Sequence, residues 1–247
     1  MEPANAGVSS HRVDRRSYVA GAATRGRMYD AVVFDNDGVL TTMTDWERIR
    51  EAVRQTCEEF DVEPTRSLVD RLVGVTPSDV EAVCAELGVD ADAFWERRDH
   101  NAAAVQIEEI RAGRKRLYPE VRSTIDALEC PAAVVSNNQQ RTVDFIVDHF
   151  ELDRLDPVYG RQPTLLDLER KKPNPHYLRL VLADLEADRA LYVGDSPKDV
   201  VAAERAGMDS LFLRRPHRRD ATLSAEPTYE ATDLEGLAHA LAGRSSP

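Results

Sequence analysis

Cysteine, lysine and long apolar runs are all scarce in this chain of 247 residues. Each scarcity removes a class of protein. The three cysteines, Cys57, Cys84 and Cys130, are odd in number and far apart. That pattern fits neither a disulfide framework nor a zinc site and reads as structural thiols. Lysine occurs only at 115, 171, 172 and 198, and 44 acidic residues outnumber 32 basic ones, for a net charge of -12. Such a surface repels a phosphate backbone, which excludes nonspecific nucleic-acid binding. No apolar run reaches the roughly 20 residues of a membrane helix. Arg15-Arg16 invites comparison with an export signal, but the apolar stretch from Tyr18 to Ala23 is short and Thr24-Arg25-Gly26-Arg27 closes it. Residues 1–27 therefore read as a disordered leader, Met28 as a candidate start, and the protein as cytoplasmic.

What the chain does have is an unusual use of acid. The apolar run Ala31-Val32-Val33-Phe34 ends in Asp35-Asn36-Asp37-Gly38. A buried strand holds the two acids at its carboxyl end, where open α/β sheets place ligands. Gly38 lets the chain turn and a ligand approach the backbone. Two carboxylates so close repel each other unless a cation or a shared proton compensates.

Downstream, residues 44 to about 116 read as helices alone. Trp46, Ile49, Val53 and Phe60 recur at helical spacing. Thr65 caps a second segment, and Gly74-Val75-Thr76-Pro77 breaks the pattern. A third helix carries Val80, Val83 and Leu87 up to Gly88, and a fourth runs from about Asp92 to Arg111. Strands and helices alternate again from Tyr118, with strands at Ala132–Val135, Ala190–Val193 and Leu211–Leu213. The tail after Leu241 reads as frayed. Alternation implies a parallel sheet covered on both faces, and the helical block reads as an insert.

Three polar clusters follow strands. They are Asp35 with Asp37, Ser136 with Asn137, and Gly194-Asp195-Ser196-Pro197-Lys198-Asp199. Between the last two lies Lys171-Lys172-Pro173-Asn174-Pro175, whose prolines fix a lysine just before a helix. His100, His149, His176, His217 and His239 show no ligand spacing and read as surface residues. Arg214-Arg215 and Arg218-Arg219 read as an exposed charged loop, with contact to an anionic substrate as the other reading.

The four blocks, in this order, resemble the four signature motifs of the haloacid dehalogenase-like hydrolase superfamily, over Asp30 to about Leu213. The resemblance implies a Rossmann-like α/β core at 28–43 and 117–247, with an inserted helical C1-type cap at 44–116. It implies Asp35 as nucleophile, Asp37 as acid/base, Ser136 as a hydrogen-bond donor to the phosphoryl group, and Lys172, preferred over Lys171, as charge compensator. Asp35, Asp195 and the backbone carbonyl of Asp37 would bind Mg2+, with Asp199 in support. Asn137 and Gly38, together with Thr76 of the cap loop, would bind substrate or its phosphate.

Asp37 points away from dehalogenation, because halide needs no protonation on leaving. The cap loop resembles those of phosphoglycolate phosphatases and β-phosphoglucomutases, but Pro77 stands where the mutases tend to carry a basic residue. The expected function is hydrolysis of a small phosphate ester. A hexose phosphate mutase and a non-catalytic ligand-binding regulator are the alternatives.

Overall fold

The computed structural model describes residues 28–242. The expected leader and the end of the tail, 243–247, lie outside the described residues. The first strand, β1 (Ala31–Phe34), is fully buried. Ala31 and Val33 face one apolar core, and Val32 and Phe34 the other. This is the period-2 alternation of a strand with both faces covered.

Four helices follow without a strand: α1 (Trp46–Glu59), α2 (Arg66–Arg71), α3 (Pro77–Leu87) and α4 (Ala91–Arg111). Thr65 caps α2, Thr76 and Asp79 form a capping box on α3, and Gly88 ends α3 in the left-handed conformation. The block has its own core of Val53, Leu72, Val80, Val83, Phe94 and Trp95. It is the helical insert that the sequence predicts.

The alternation then resumes with α5 (Val121–Ala127), β2 (Ala132–Gln139), α6 (Gln140–His149) and β3 (Leu155–Arg161). After these come α7 (Leu165–Glu169), α8 (His176–Leu185), β4 (Ala190–Gly194), α9 (Pro197–Ala206), β5 (Asp209–Leu213), β6 (Tyr229–Ala231) and α10 (Leu237–Leu241). The six strands are all parallel in the order β3-β2-β1-β4-β5-β6. The order reverses at β1, and such a switch point opens a crevice at the carboxyl ends of the flanking strands.

Three elements depart from the sequence reading. β2 continues past Val135, because a register shift between Val135 and Gln139 lets the ladder resume at Gln139 with Arg161. Ser136, Asn137 and Asn138 sit in that irregular stretch, which re-aims side chains at a sheet rim. β3 escapes the sequence pattern because Pro157 and Gly160 interrupt its alternation, and it is an edge strand, where proline is tolerated. β6, three residues long, is too short to read and closes the other edge. Cys57, Cys84 and Cys130 are buried and in no disulfide. No described helix is long and apolar enough to cross a membrane.

Candidate active site

The sheet brings the three acidic or polar clusters to one edge. Asp35 follows β1, and its amide donates to Val193 O of the neighbouring β4 at 2.8 Å. Asp195 follows β4, and Asp199 opens α9, where it accepts the Ser196 amide at 2.9 Å in a capping box. The turn after β1 is built on the Asn36 carbonyl, which accepts the amides of Leu40 and Thr41 at 2.9 Å each. That turn places Gly38 against Asp195. With φ at +82°, a Cβ at position 38 would lie 2.3 Å from Asp195 Oδ2. Gly38→Ala is therefore expected to cost about 1–3 kcal/mol, from left-handed strain and displacement of the carboxylate. Urea denaturation measures this, and unchanged stability would show that Asp195 has room to move.

Lys172 is the pivot of the cluster. Its Nζ lies 2.9 Å from Asp35 Oδ1 and 2.8 Å from Asp199 Oδ1. It also donates to Val135 O at 3.1 Å and to the Tyr192 hydroxyl. Burial works against the ammonium, but Asp199 and Asp35 outweigh it and hold its pKa above the usual lysine value. Asn137 explains how the lysine is held, since its amide group accepts from Lys172 N at 2.7 Å and donates to Lys172 O at 3.1 Å. The amide expected to bind phosphate is thus engaged with the lysine backbone. Lys171 points elsewhere, to Val75 O.

Asp37 is set apart from this group. Lys115, 1% exposed, pairs with its Oδ1, and Asn138 Nδ2 donates to its Oδ2 at 2.9 Å. Neither partner is singled out by spacing. Lys115 lies far along the chain, at the end of the helical block, and reaches Asp37 only because Thr41 pairs with Leu117 across the junction. Ser136 is buried, and its Oγ accepts the Asn138 amide at 3.1 Å.

Asp35, Asp195 and Asp199 each bring a ligand oxygen within 4.8 Å of the others. Burial, with repulsion from Asp199 and Asp195, raises the Asp35 carboxyl well above the usual range against the pull of Lys172. Burial and Asp199 also raise Asp195, opposed by His217 and Arg218. Three carboxylates thus converge on one buried ammonium, Lys172, with His217 and Arg218 at Asp195. A cluster of hard carboxylate oxygens fits a divalent cation.

The basic segment after β5 takes part in the acid cluster more than its sequence suggests. His217 is exposed and Arg218 half-buried, yet both reach the acids, since His217 Nε2 lies 2.6 Å and Arg218 Nε 3.2 Å from Asp195 Oδ2. Arg215 is buried, pairs with Glu120 at 2.7 Å, donates to Gly38 O and Val39 O, and packs over Tyr118. The available signal was position, because this basic segment follows β5 and so emerges at the same sheet edge as the acids. Thr76 stands outside the cavity lining. As the α3 cap its hydroxyl accepts the Asp79 amide at 3.4 Å, and it donates to Asp79 Oδ2 at 2.6 Å, while Gly74 and Val75 line the cavity.

That cavity, about 250 Å3, lies between the helical block and the sheet edge and includes Asp37, Asn137 and Asn138 in its walls. The helical block is latched over it by α4. Gln106 exchanges hydrogen bonds with Asn138 at 2.7 and 2.8 Å, and Asp99 accepts from Gln139 at 3.1 Å and from Arg161 at 2.7 Å.

The chain is similar to known proteins to different extents. A phosphoglycolate phosphatase of Rhodospirillum rubrum is 30% identical over 210 residues, covering 80% of this chain and 84% of that protein. One of Pseudomonas fluorescens strain Pf0-1 is 28% identical over 158 residues, 61% of this chain and 57% of that one. Several curated relatives are matched over only about half of their own length. Among solved structures, CbbY from Rhodobacter sphaeroides in complex with phosphate aligns with a TM-score of 0.63 at 20% identity, over 85% of this chain and 96% of that one. At that identity the likeness speaks for the fold alone. The family model for haloacid dehalogenase-like hydrolases matches residues 32–213, from within β1 to the end of β5 and well over half of the chain. The chain belongs to the haloacid dehalogenase-like hydrolase family.

Proposed function

We propose that this protein is a cytoplasmic, magnesium-dependent phosphatase that hydrolyses a small organic phosphate monoester through an aspartyl-phosphate intermediate. The observation that carries the reading is Lys172 held between Asp35 and Asp199, with Asp195 alongside. A carboxylate fixed by a buried ammonium at the crevice of a parallel sheet is positioned to attack an electrophile entering from the cavity. The phosphoglycolate phosphatases named above favour a phosphoryl group as that electrophile.

In this reading a carboxylate oxygen of Asp35 attacks phosphorus as the bond to the leaving oxygen breaks. Asp37 gives that oxygen a proton. Asp37 then takes a proton from water as the water attacks phosphorus, and the Asp35–phosphorus bond breaks to release inorganic phosphate. Lys172 offsets charge on Asp35 and on the phosphoryl oxygens throughout. Ser136 Oγ donates to one of those oxygens. Asp35, Asp195 and the Asp37 carbonyl would hold Mg2+, with Asp199 in support. When bound, the ion supplies charge neutralisation between the acids and the incoming phosphate.

We also assign residues 28–43, and those from 117 onward, to the catalytic core, and 44–116 to a cap. Through Gln106 and Asp99 of α4, the cap would close the cavity against water. The cavity volume of about 250 Å3 suits a small substrate.

Phosphoglycolate, a hexose phosphate and a nucleoside monophosphate form the test panel. Phosphate release with magnesium, and its loss in excess chelator, is the expected result. Conversion of a hexose phosphate into its isomer with little phosphate released would make the protein a mutase. No turnover with ligand binding retained would make it a non-catalytic binder.

A further inference from the structure

Asp37 sits in a closed ring of polar side chains in which each donor and acceptor can be assigned. Lys115 Nζ donates to Asp37 Oδ1 and to Thr44 Oγ1, the latter at 3.2 Å. Thr44 Oγ1 donates in turn to Gln106 Oε1 at 3.1 Å. Gln106 Oε1 also accepts from Asn138 Nδ2 at 2.8 Å, and the other Asn138 amide hydrogen goes to Asp37 Oδ2 at 2.9 Å. Thr44 precedes α1 and Lys115 follows α4, so the ring ties both ends of the helical insert to the acid after β1. Backbone pairing holds those two ends together, since the Thr42 amide donates to Arg116 O at 2.8 Å.

The two oxygens of Asp37 are therefore not equivalent. An ammonium has three hydrogens to give and no lone pair with which to accept. The charged donor on Oδ1 makes that oxygen the worse seat for a proton. Oδ2, whose one partner is a neutral amide, is the better. Asn138 stands in the cavity wall with Asp37 and Lys115 does not, so Oδ2 is the oxygen on the cavity side. Lys115 is 1% exposed and pairs with no acid but Asp37 among the described residues. Burying an ammonium is costly, and this one is spent on a single carboxylate.

We propose that Lys115 is a positioning residue for proton donation: it holds Asp37 by Oδ1 and so turns Oδ2, with its proton, toward the leaving oxygen of the ester. This inference rests on the phosphatase reading above. As the bond between phosphorus and the leaving oxygen breaks, its electron pair stays on that oxygen. The Oδ2–hydrogen bond breaks in the same step, and the proton passes to the leaving oxygen. Asp37 is left as a carboxylate against the Lys115 ammonium, which offsets the new charge. Lys115 keeps its own protons throughout.

The test uses two esters of similar shape, p-nitrophenyl phosphate and p-nitrobenzyl phosphate, with the full chain and magnesium. A nitrophenolate leaves without help from an acid, whereas the benzyl oxygen must be protonated as it departs. The quantity read is kcat/KM for the phenyl ester divided by kcat/KM for the benzyl ester. Asp37→Asn should raise this ratio on the order of 100-fold or more, the usual worth of a general acid. Lys115→Met should raise it on the order of 10-fold or more, because the acid is kept but misplaced.

Both rates come from one preparation, so a partly folded sample does not move the ratio. If Lys115→Met yields no folded protein, Thr44→Val takes its place, since it leaves the ammonium and removes its second acceptor. That variant should raise the ratio about threefold or more. A parental ratio in the variant used, with the two rates unchanged or falling together, would overturn this inference alone when Asp37→Asn does move the ratio. An unmoved ratio in Asp37→Asn would overturn the acid role of Asp37. Absence of release from both esters would overturn the phosphatase reading, and this inference falls with either.

Discussion

Asp35→Asn should lower phosphate release on the order of 10^4-fold or more, as loss of a covalent nucleophile does. The substitution keeps the shape of the side chain while removing its charge and its capacity to form the acyl phosphate. Lys172 retains Asp199 as a partner at 2.8 Å, so the ammonium is not stranded. Asp35 itself is a buried carboxylate raised well above its usual range by burial and by Asp199 and Asp195. A neutral amide at 35 relieves that repulsion. The variant should therefore unfold at a temperature no lower than the parent. Phosphate release, acid-quench trapping of phosphoenzyme and thermal unfolding together check the prediction. A variant that keeps a tenth of the parental rate would sink Asp35 as nucleophile. A large loss of stability would make the lost activity uninformative about chemistry and would show that the Lys172 pair is structural.

Lys172→Met is expected to damage both stability and activity. The lysine is 2% exposed, and its two carboxylate partners are buried as well. Removing one member of such a network leaves uncompensated buried charge, which costs about 3–5 kcal/mol. The hydrogen bonds to Val135 O and Tyr192 are lost with it. The sign of the pH dependence follows from Asp35. Its folded-state pKa is already raised, so the charged carboxylate disfavours folding above that pKa, and the penalty fades as protonation removes the charge. Without Lys172 the pKa rises further. The stability deficit of the variant should thus be largest near neutral pH and shrink as the pH is lowered toward about 4, the unfolded carboxylate value. Denaturant titrations at pH 7.5 and pH 5 measure this. A deficit under about 1 kcal/mol, or one equal at the two pH values, would mean that water or a displaced cation replaces the ammonium.

Most of the fold was legible because its elements obey simple periodicities. The helices of the insert carry apolar residues at helical spacing, one begins at Thr65 and another ends at Gly88, so those limits could be read directly. β1 and β4 are uniformly apolar, as strands buried on both faces must be. β3 and β6 were not legible. An edge strand that contains proline and a strand of three residues carry too little pattern.

The cavity residues of α4 were hidden for a related reason. Arg98, Asp99 and Gln106 carry no signal in the sequence beyond a helical stretch, and these polar groups are buried. Burial of a charge depends on partners such as Arg161 and Gln139, which are remote in sequence. The same holds for Lys115 on Asp37, and for His217 and Arg218 on Asp195.

The sequence by itself determined the α/β alternation, the helical insert, and the acids Asp35, Asp37, Asp195 and Asp199 with Lys172 and Ser136 among them. The elements follow from local spacing, because strand ends, prolines and glycines fix where side chains can stand, while the choice of Lys172 over Lys171 came with the family resemblance. Tertiary structure alone decided which charges meet. The strand order β3-β2-β1-β4-β5-β6 puts β1 beside β4, which brings Asp35 to Asp195 and lets Lys172 bridge Asp35 and Asp199. It also decided that the cavity has a cationic wall, since Arg98, Arg161 and Lys171 come from separate segments that converge only when the helical block folds down on the sheet. The physical reason is that local conformation depends on neighbours along the chain, whereas electrostatic compensation depends on neighbours in space.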